Sequence, residues 1–185
     1  MAYDFPALEK SLRAAFGEAI LDWTAFRDQP CVHVKRDKLR DVLKFLRNDE
    51  STKFDLFTDV TALDLLKLPP EMEKSYHEHD RFAVVYHLSK LVGSTLESAT
   101  IRVKTYIPEE PPICDTASDI WLGANWGERE VYDMFGIKFR GHPDLKRILC
   151  PDNLEGHALR KDYPLKGRGE RDNFPKYTDI PEYTS

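Results

Sequence analysis

No stretch of this chain stays apolar for about 18 residues, the length that crosses a bilayer as a helix, so a membrane span is not expected from its composition. Cysteine is scarce: Cys31, Cys114 and Cys150 are the only three in 185 residues, and they lie far apart. An odd, scattered set suits a reducing compartment without a disulfide framework. Because none pairs into a CxxC unit, an iron–sulfur cluster or structural zinc held by this chain alone is not expected. Also missing is a glycine-rich loop between a strand and a helix, so there is no nucleotide cradle; Gly167-Arg168-Gly169 lacks that setting. No GxSxG elbow presents a serine nucleophile, and no cysteine sits in a recognisable catalytic context. The opening MAYDFPALEK has neither a basic n-region nor an apolar h-region, which makes a cytosolic location the default. A net charge of −5 argues against general affinity for nucleic acid.

What is present describes one globular domain with an appended arm. Hydrophobic residues make up 41% and charged residues 32% of the chain, enough to bury a core of its own. Asp4 is a candidate N-cap, Pro6 falls in a first turn, and Phe5, Leu8, Leu12 and Phe16 form one stripe that ends at Gly17. Residues 19 to 26 and 31 to 34 read as two strands joined by a turn at Asp28-Gln29-Pro30. In DKLRDVLKFLRN, Leu39, Val42, Leu43 and Leu46 define a second amphipathic helix. Residues 54 to 66 begin as a strand and end ambiguously between strand and short helix. Residues 69 to 80 are polar and proline-led, hence a loop. RFAVVYHLSK and ATIRVKTYI are strands, with Leu91 to Ser98 connecting them as a hairpin around Gly93. In the second of these, Ile101, Val103 and Thr105 alternate with Arg102, Lys104 and Tyr106, the pattern of a sheet buried on one face. This order predicts an α+β fold, with helices packed on one face of a mostly antiparallel sheet. The prolines of PEEPPICD are expected to stop regular structure there.

The stretch 116 to 149 organises the rest. Thr116, with Asp119 three residues on, reads as a helix N-cap. Ala117, Ile120, Trp121, Ala124, Val131 and Phe135 form a stripe, and Gly136 is a stop. Glu128, Arg129, Glu130 and Asp133 crowd the last two turns, where Arg129 can reach Asp133 at i+4. Three readings compete: a solvated, internally paired helix end, a metal site, and a docking surface. Two carboxylates, Glu130 and Asp133, are too few for a divalent ion, and Arg129 would compete for them.

Downstream, Gly141-His142 precedes Leu145-Lys146-Arg147, and Gly156-His157 precedes Leu159-Arg160-Lys161. Each pairs a tight turn with a cationic prong able to meet carboxylates or phosphates on a partner, unless both are merely exposed turns. Between Lys138 and Arg171 the local charge is +4, against −9 for the remainder, which suggests a face meant for a partner of opposite sign. Beyond Leu149 prolines and glycines accumulate and aliphatics thin out, while Tyr163, Phe174, Tyr177 and Tyr183 could anchor an arm on another protein. The expected division is therefore 1–149 as the α+β domain and 150–185 as an arm. His77 and His79 in a polar loop could hold a metal only weakly. His33 and His87 read as hydrogen-bonded strand histidines.

From Glu128 the chain runs ERE, two residues, Asp133, Met134-Phe135, six residues, His142, three residues, Lys146, one residue, Ile148-Leu149. Over this run, and in the flanking GHPDL and GHALRKDYPL, it resembles the thirty-kilodalton (C) subunit of the proton-pumping NADH-quinone oxidoreductase, respiratory complex I. The resemblance implies a signature helix followed by a hairpin, and an extended C-terminal arm. It further implies a non-catalytic subunit of the peripheral arm of an enzyme that passes electrons from NADH through FMN and iron–sulfur clusters to quinone, coupled to proton translocation. FMN and the clusters would reside in partner subunits and this chain would bind no cofactor or metal. Its chief partner would be the forty-nine-kilodalton-type (D) subunit, beside neighbouring iron–sulfur subunits, on the cytoplasmic side of the cell membrane with indirect membrane contact. Interface roles would fall on Glu128, Arg129, Glu130, Asp133, His142, Lys146 and Arg147, with His157, Arg160 and Lys161 in the second prong. The alternatives are the equivalent subunit of a membrane-bound hydrogenase or ferredoxin-type complex, and an RNA-binding α+β module. The latter needs basic and aromatic residues on one sheet face.

Overall fold

A computed structural model describes residues 3–27, 29–68, 80–91 and 98–169. Helix α1 (Phe5–Phe16) starts as its sequence requires: Asp4 Oδ1 accepts the Ala7 N–H at 2.9 Å, and Leu8 and Leu12 are buried. Strands β1 (Ile20–Phe26) and β2 (Gln29–Val34) form an antiparallel pair. A 3-10 turn leads into α2 (Leu39–Asn48), whose Leu39, Val42, Leu43 and Leu46 are all buried. The ambiguous stretch resolves as strand through its second half, since β3 spans Leu56–Asp64. Two long strands follow, β4 (Asp80–Leu91) and β5 (Ser98–Pro108). Most of the loop before β4 and the turn between β4 and β5, with His77, His79 and Gly93, lie outside the described residues.

The five strands lie in the order β1-β2-β5-β4-β3. Three neighbouring pairs are antiparallel and β2–β5 is parallel. The parallel pair arises because the chain leaves β2 through α2, builds β3 and β4 at the far edge, and returns β5 to the middle. Alternation then sorts the side chains. Val32, Val34, Val60, Val84, Tyr86, Leu88, Ile101 and Val103 join the main core, which α1 and α2 cover.

Three expectations around the organising stretch are corrected. The prolines of PEEPPICD do not abolish regular structure: Ile113–Asp115 forms β6. Nor does a helix begin at Thr116. Residues 117 to 123 make successive tight turns, with Ile120 and Trp121 both donating to the Ala117 carbonyl at 2.9 Å, and α3 begins only at Ala124 and ends at Phe135. Three- and four-residue apolar spacing is met equally well by consecutive turns, so periodicity did not separate the two. Asp119 is engaged by Arg40 of α2 rather than by a cap. The helix stop is as expected, with Gly136 left-handed at φ 76°. In place of a hairpin, the chain after α3 forms β7 (Lys138–Arg140), parallel to β6 because a helix crosses between them. Helix α3 lies closely on β3: a Cβ on Gly127 would sit 2.6 Å from Val60 Cγ1.

Candidate functional site

Helix α3 points two of its acidic side chains inward, which overturns the reading of a solvated helix end. Glu128 and Asp133 have no exposed surface, whereas Glu130 faces solvent. Glu128 Oε1 accepts from Tyr86 Oη at 3.1 Å and from the Ala117 N–H at 2.6 Å, and the Thr116 hydroxyl bonds its other oxygen. No cation touches it among the described residues. Burial therefore dominates and pushes the Glu128 carboxyl up to about 7, against the downward pull of those three donors.

Asp133 has the opposite surroundings. Its Oδ2 accepts the backbone N–H groups of Ile148, Leu149 and Cys150 at 3.1, 2.8 and 2.8 Å. Arg147 reaches Oδ1 at 3.2 Å. Burial alone would raise this carboxyl, but the three N–H donors and Arg147 outweigh it and hold the group below the usual range. The loop after β7 is thus wrapped around a helix carboxylate.

The expected Arg129–Asp133 pairing does not form, because Asp133 is already enclosed. Arg129 instead donates Nε to the Lys146 carbonyl at 3.1 Å and Nη2 to the Arg147 carbonyl at 3.2 Å, with its guanidinium 5.2 Å from the Trp126 ring centre. His142 joins the same loop to the helix start. Its Nδ1 accepts the Asp144 N–H at 3.1 Å, so Nε2 carries the proton and donates to the Asn125 carbonyl at 3.0 Å.

The two basic prongs split, one cation of each turning in and one out. Arg147 spans Asp133 and the Gly156 carbonyl, at 2.9 Å from the latter, while Lys146 points to solvent and pairs with Asp144. Arg160 donates Nε to the Phe135 carbonyl at 2.6 Å, and Lys161 is exposed. His157 Nδ1 donates to the Asp133 carbonyl at 2.9 Å, and its burial lowers the ring's basicity. His157 and Arg160 together cap the C-terminal end of α3, where unsatisfied carbonyls and the helix dipole favour donors. A Cβ on Gly136 would collide with His157 Nε2 at 2.4 Å, so this close approach requires glycine.

In its described part, 150–169, the arm has no helix or strand, yet it does not stand away from the domain. It is fastened at a second place that sequence reasoning missed. Arg81, 6% exposed, binds Asp64 through Nε and Nη2 at 3.2 and 2.9 Å, and also reaches Glu109 at 2.7 Å and Asp162 at 2.9 Å. The Lys161 N–H adds a bond of 2.8 Å to Asp64 Oδ2. Asp64, Arg81 and Glu109 lie at or just beyond strand ends and Lys161 and Asp162 in the arm, and only folding assembles them. Tyr86 and Thr116 were missed for the same reason. Phe174, Tyr177 and Tyr183 lie outside the described residues.

Around this interior clamp several large apolar side chains are exposed. Leu122 and Trp126 are 88% and 67% exposed, and Leu149, Leu159 and Leu165 are exposed in the loop and arm. Among the described residues no three His, Cys, Asp or Glu side chains gather as metal ligands, and no helix is long and apolar enough to cross a membrane.

Fold and site thus define an α+β domain whose charged signature ties a loop and a strap to one helix. The pattern of a family described as respiratory-chain NADH dehydrogenase, 30 Kd subunit, matches residues 32–169. The C subunit of NADH-quinone oxidoreductase from Citrifermentans bemidjiense is 44% identical over 156 residues, covering 84% of this chain and 87% of the relative. Subunit 5 of the same enzyme from Thermus thermophilus is 49% identical over 113 residues, 60% of this chain and 52% of the relative. A trypsin-resistant fragment of Nqo5 superposes with a TM-score of 0.60 at 34% identity, over 75% of this chain and 98% of the fragment. A chain of the membrane-bound sulfane sulfur reductase, an archaeal respiratory membrane complex, superposes with a TM-score of 0.69 over 96% of each chain; at 24% identity this is likeness of fold alone. The chain belongs to the 30 kDa (C) subunit family of NADH-quinone oxidoreductase, respiratory complex I.

Proposed function

We propose that the chain is a non-catalytic structural subunit of the enzyme's peripheral arm and braces the forty-nine-kilodalton-type (D) subunit. Electron transfer from NADH through FMN and iron–sulfur clusters to quinone, with its coupled proton translocation, would proceed in partner subunits. The complex would hold the chain on the cytoplasmic side of the cell membrane without direct membrane contact. Relatives of about 40% identity and above are named as the C subunit of NADH-quinone oxidoreductase, which favours that enzyme over a hydrogenase or ferredoxin-type complex.

One observation carries the bracing role: Glu128, Arg129, Asp133 and Arg147 of the signature are used internally, and the surface they stiffen exposes large apolar side chains. Leu122 projects from the turn before α3, Trp126 from α3 itself, and Leu149 from the loop that Arg129 and Asp133 tie to it. Clustered exposed aromatic and aliphatic groups on a rigid support are what a partner subunit buries. Glu130, Lys146 and Lys161 supply a charged rim.

The test is Trp126→Glu in the tagged full-length chain, recovered from detergent-solubilised membranes. Loss of a buried interface aromatic lowers co-recovery of the large, NADH-oxidising assembly at least about tenfold, while circular dichroism of the isolated variant stays unchanged. Recovery of the full assembly with normal activity would remove this surface as the bracing site. Recovery of even the unaltered chain only as a free protein of 21.5 kDa would sink the subunit role.

A further inference from the structure

The face of the large sheet opposite the helices carries a different chemistry. On it the central strand β5 presents Arg102 and Lys104, two residues apart and both half-buried. The register sets Cys31 beside Arg102 and His33 beside Lys104 on one flank, and His87 and Val85 beside them on the other. A cleft of about 360 Å3 lies over them, bounded by Phe26 on one edge strand and Leu63 on the other. Those two walls are 69% and 43% exposed.

Neither cation has an anion among the described residues. Arg102 donates Nη2 to the Gln29 carbonyl at 3.1 Å, but its Nε is buried without a hydrogen-bond partner. Lys104 makes no hydrogen bond or ion pair among the described residues. Half-buried or buried cations elsewhere in the described chain are engaged. Arg40 binds Asp119, Arg81 binds Asp64, Arg147 binds Asp133, and Arg129 and Arg160 bind carbonyls. Lys90 donates to the Thr52 carbonyl and Arg47 lies over Trp121. The acids on the open face, Asp22 beside His33 and Asp59 beside His87, accept from the adjacent backbone N–H groups of Trp23 and Val60 and pair with neither cation. Two partly desolvated cations without an anion among the described residues leave a cost that an incoming carboxylate relieves.

We propose that this cleft docks an extended acidic peptide segment of a neighbouring subunit. One carboxylate sits between Arg102 and Lys104, and apolar side chains of the segment lie against Phe26 and Leu63. The inference rests on the chain's place in a multi-subunit assembly. An open cleft running from one edge of the sheet to the other suits an extended chain. Nucleic acid is disfavoured because Tyr106, the tyrosine of β5 on this face, is buried with its hydroxyl bonded to His33 at 2.7 Å, and because Asp22 and Asp59 flank the cations.

The experiment places a benzoylphenylalanine photo-crosslinker at Phe26 in one full-length chain and at Trp126 in another, each within the purified detergent-solubilised assembly. Expected is a crosslink from position 26 to an Asp- or Glu-containing segment of a partner subunit. Adding Arg102→Glu and Lys104→Glu then lowers its yield about tenfold, as loss of a buried charge pair does, while the position 126 crosslink persists as a control for folding and assembly. Three results would overturn the inference: a silent position 26 beside an active position 126, a crosslink insensitive to the two reversals, or adducts of RNA or lipid in place of peptide. Silence at both positions would remove the bracing surface at Trp126 as well, so the two failures are told apart.

Discussion

Glu128 and Asp133 stand on one helix, both without exposed surface, and folding moves their carboxyls in opposite directions. Glu128 faces a sheet tyrosine, a threonine and one N–H, all neutral donors, so desolvation wins and the proton is held more tightly. Asp133 faces three converging backbone N–H groups and a guanidinium, so the anion wins. Burial alone thus does not decide a carboxylate's charge; the number and charge of its donors do. The two sites also do different jobs. Glu128 locks α3 to the strand side of the molecule through Tyr86 and the turn at Ala117, while Asp133 gathers the loop from which the arm departs.

Asp133→Ala should break this contrast most severely. It leaves Arg147 and three N–H groups without their acceptor, at a cost of about 3–5 kcal/mol by analogy with other broken buried pairs. Urea denaturation would measure the loss, and limited proteolysis should cut newly between 147 and 160. An unchanged urea midpoint would mean that the loop holds itself.

Next in size is Glu128→Gln, which tests the raised carboxyl. With its folded pKa near 7 and its ordinary value near 4.5, the native chain retains a proton that the unfolded chain releases, so stability falls as pH rises through that window. A shift of this size is worth about 3 kcal/mol. The glutamine can keep the bonds from Tyr86 and Ala117 but does not titrate. His33, held near 4 by burial, gives the opposite slope across part of the same range, so the informative quantity is the difference between the two proteins. Parallel pH profiles would refute the assignment. Asp133 works in the reverse sense: its contribution is present above the ordinary carboxylate range and fades as pH falls through its depressed value.

The smallest effect on stability belongs to Glu130→Lys, the exposed carboxylate of the same cluster. Its unfolding free energy should change by less than about 0.5 kcal/mol, while recovery of assembled complex drops. A variant that assembles normally would take Glu130 out of the interface.

Much of the fold was legible because burial imposes periodicity. The stripes of α1 and α2, the strand alternation about Ile101 and Val103, and the stop at Gly136 all follow from short-range chemistry. Spacing failed at residues 117 to 123, where consecutive turns bury the same stripe that a helix would. The signature was visible as a cluster of charges, but not which of them face inward. Glu128 and Glu130 are two residues apart in one charged run, and α3 turns one into the core and the other into water.

What the sequence by itself determined is local and compositional: where most helices and strands lie, that the fold is α+β, and the motif that marks the family. Those properties depend on neighbours within a few residues. The tertiary structure alone decided that Asp133 closes the loop, that Arg160 and His157 cap the helix they follow, and that Arg81 seizes the arm through Asp64 and Asp162. It also left Arg102 and Lys104 on the open face without an anion among the described residues. A charge acquires its partner, its solvation and hence its role only when residues far apart in the chain are brought within hydrogen-bond reach.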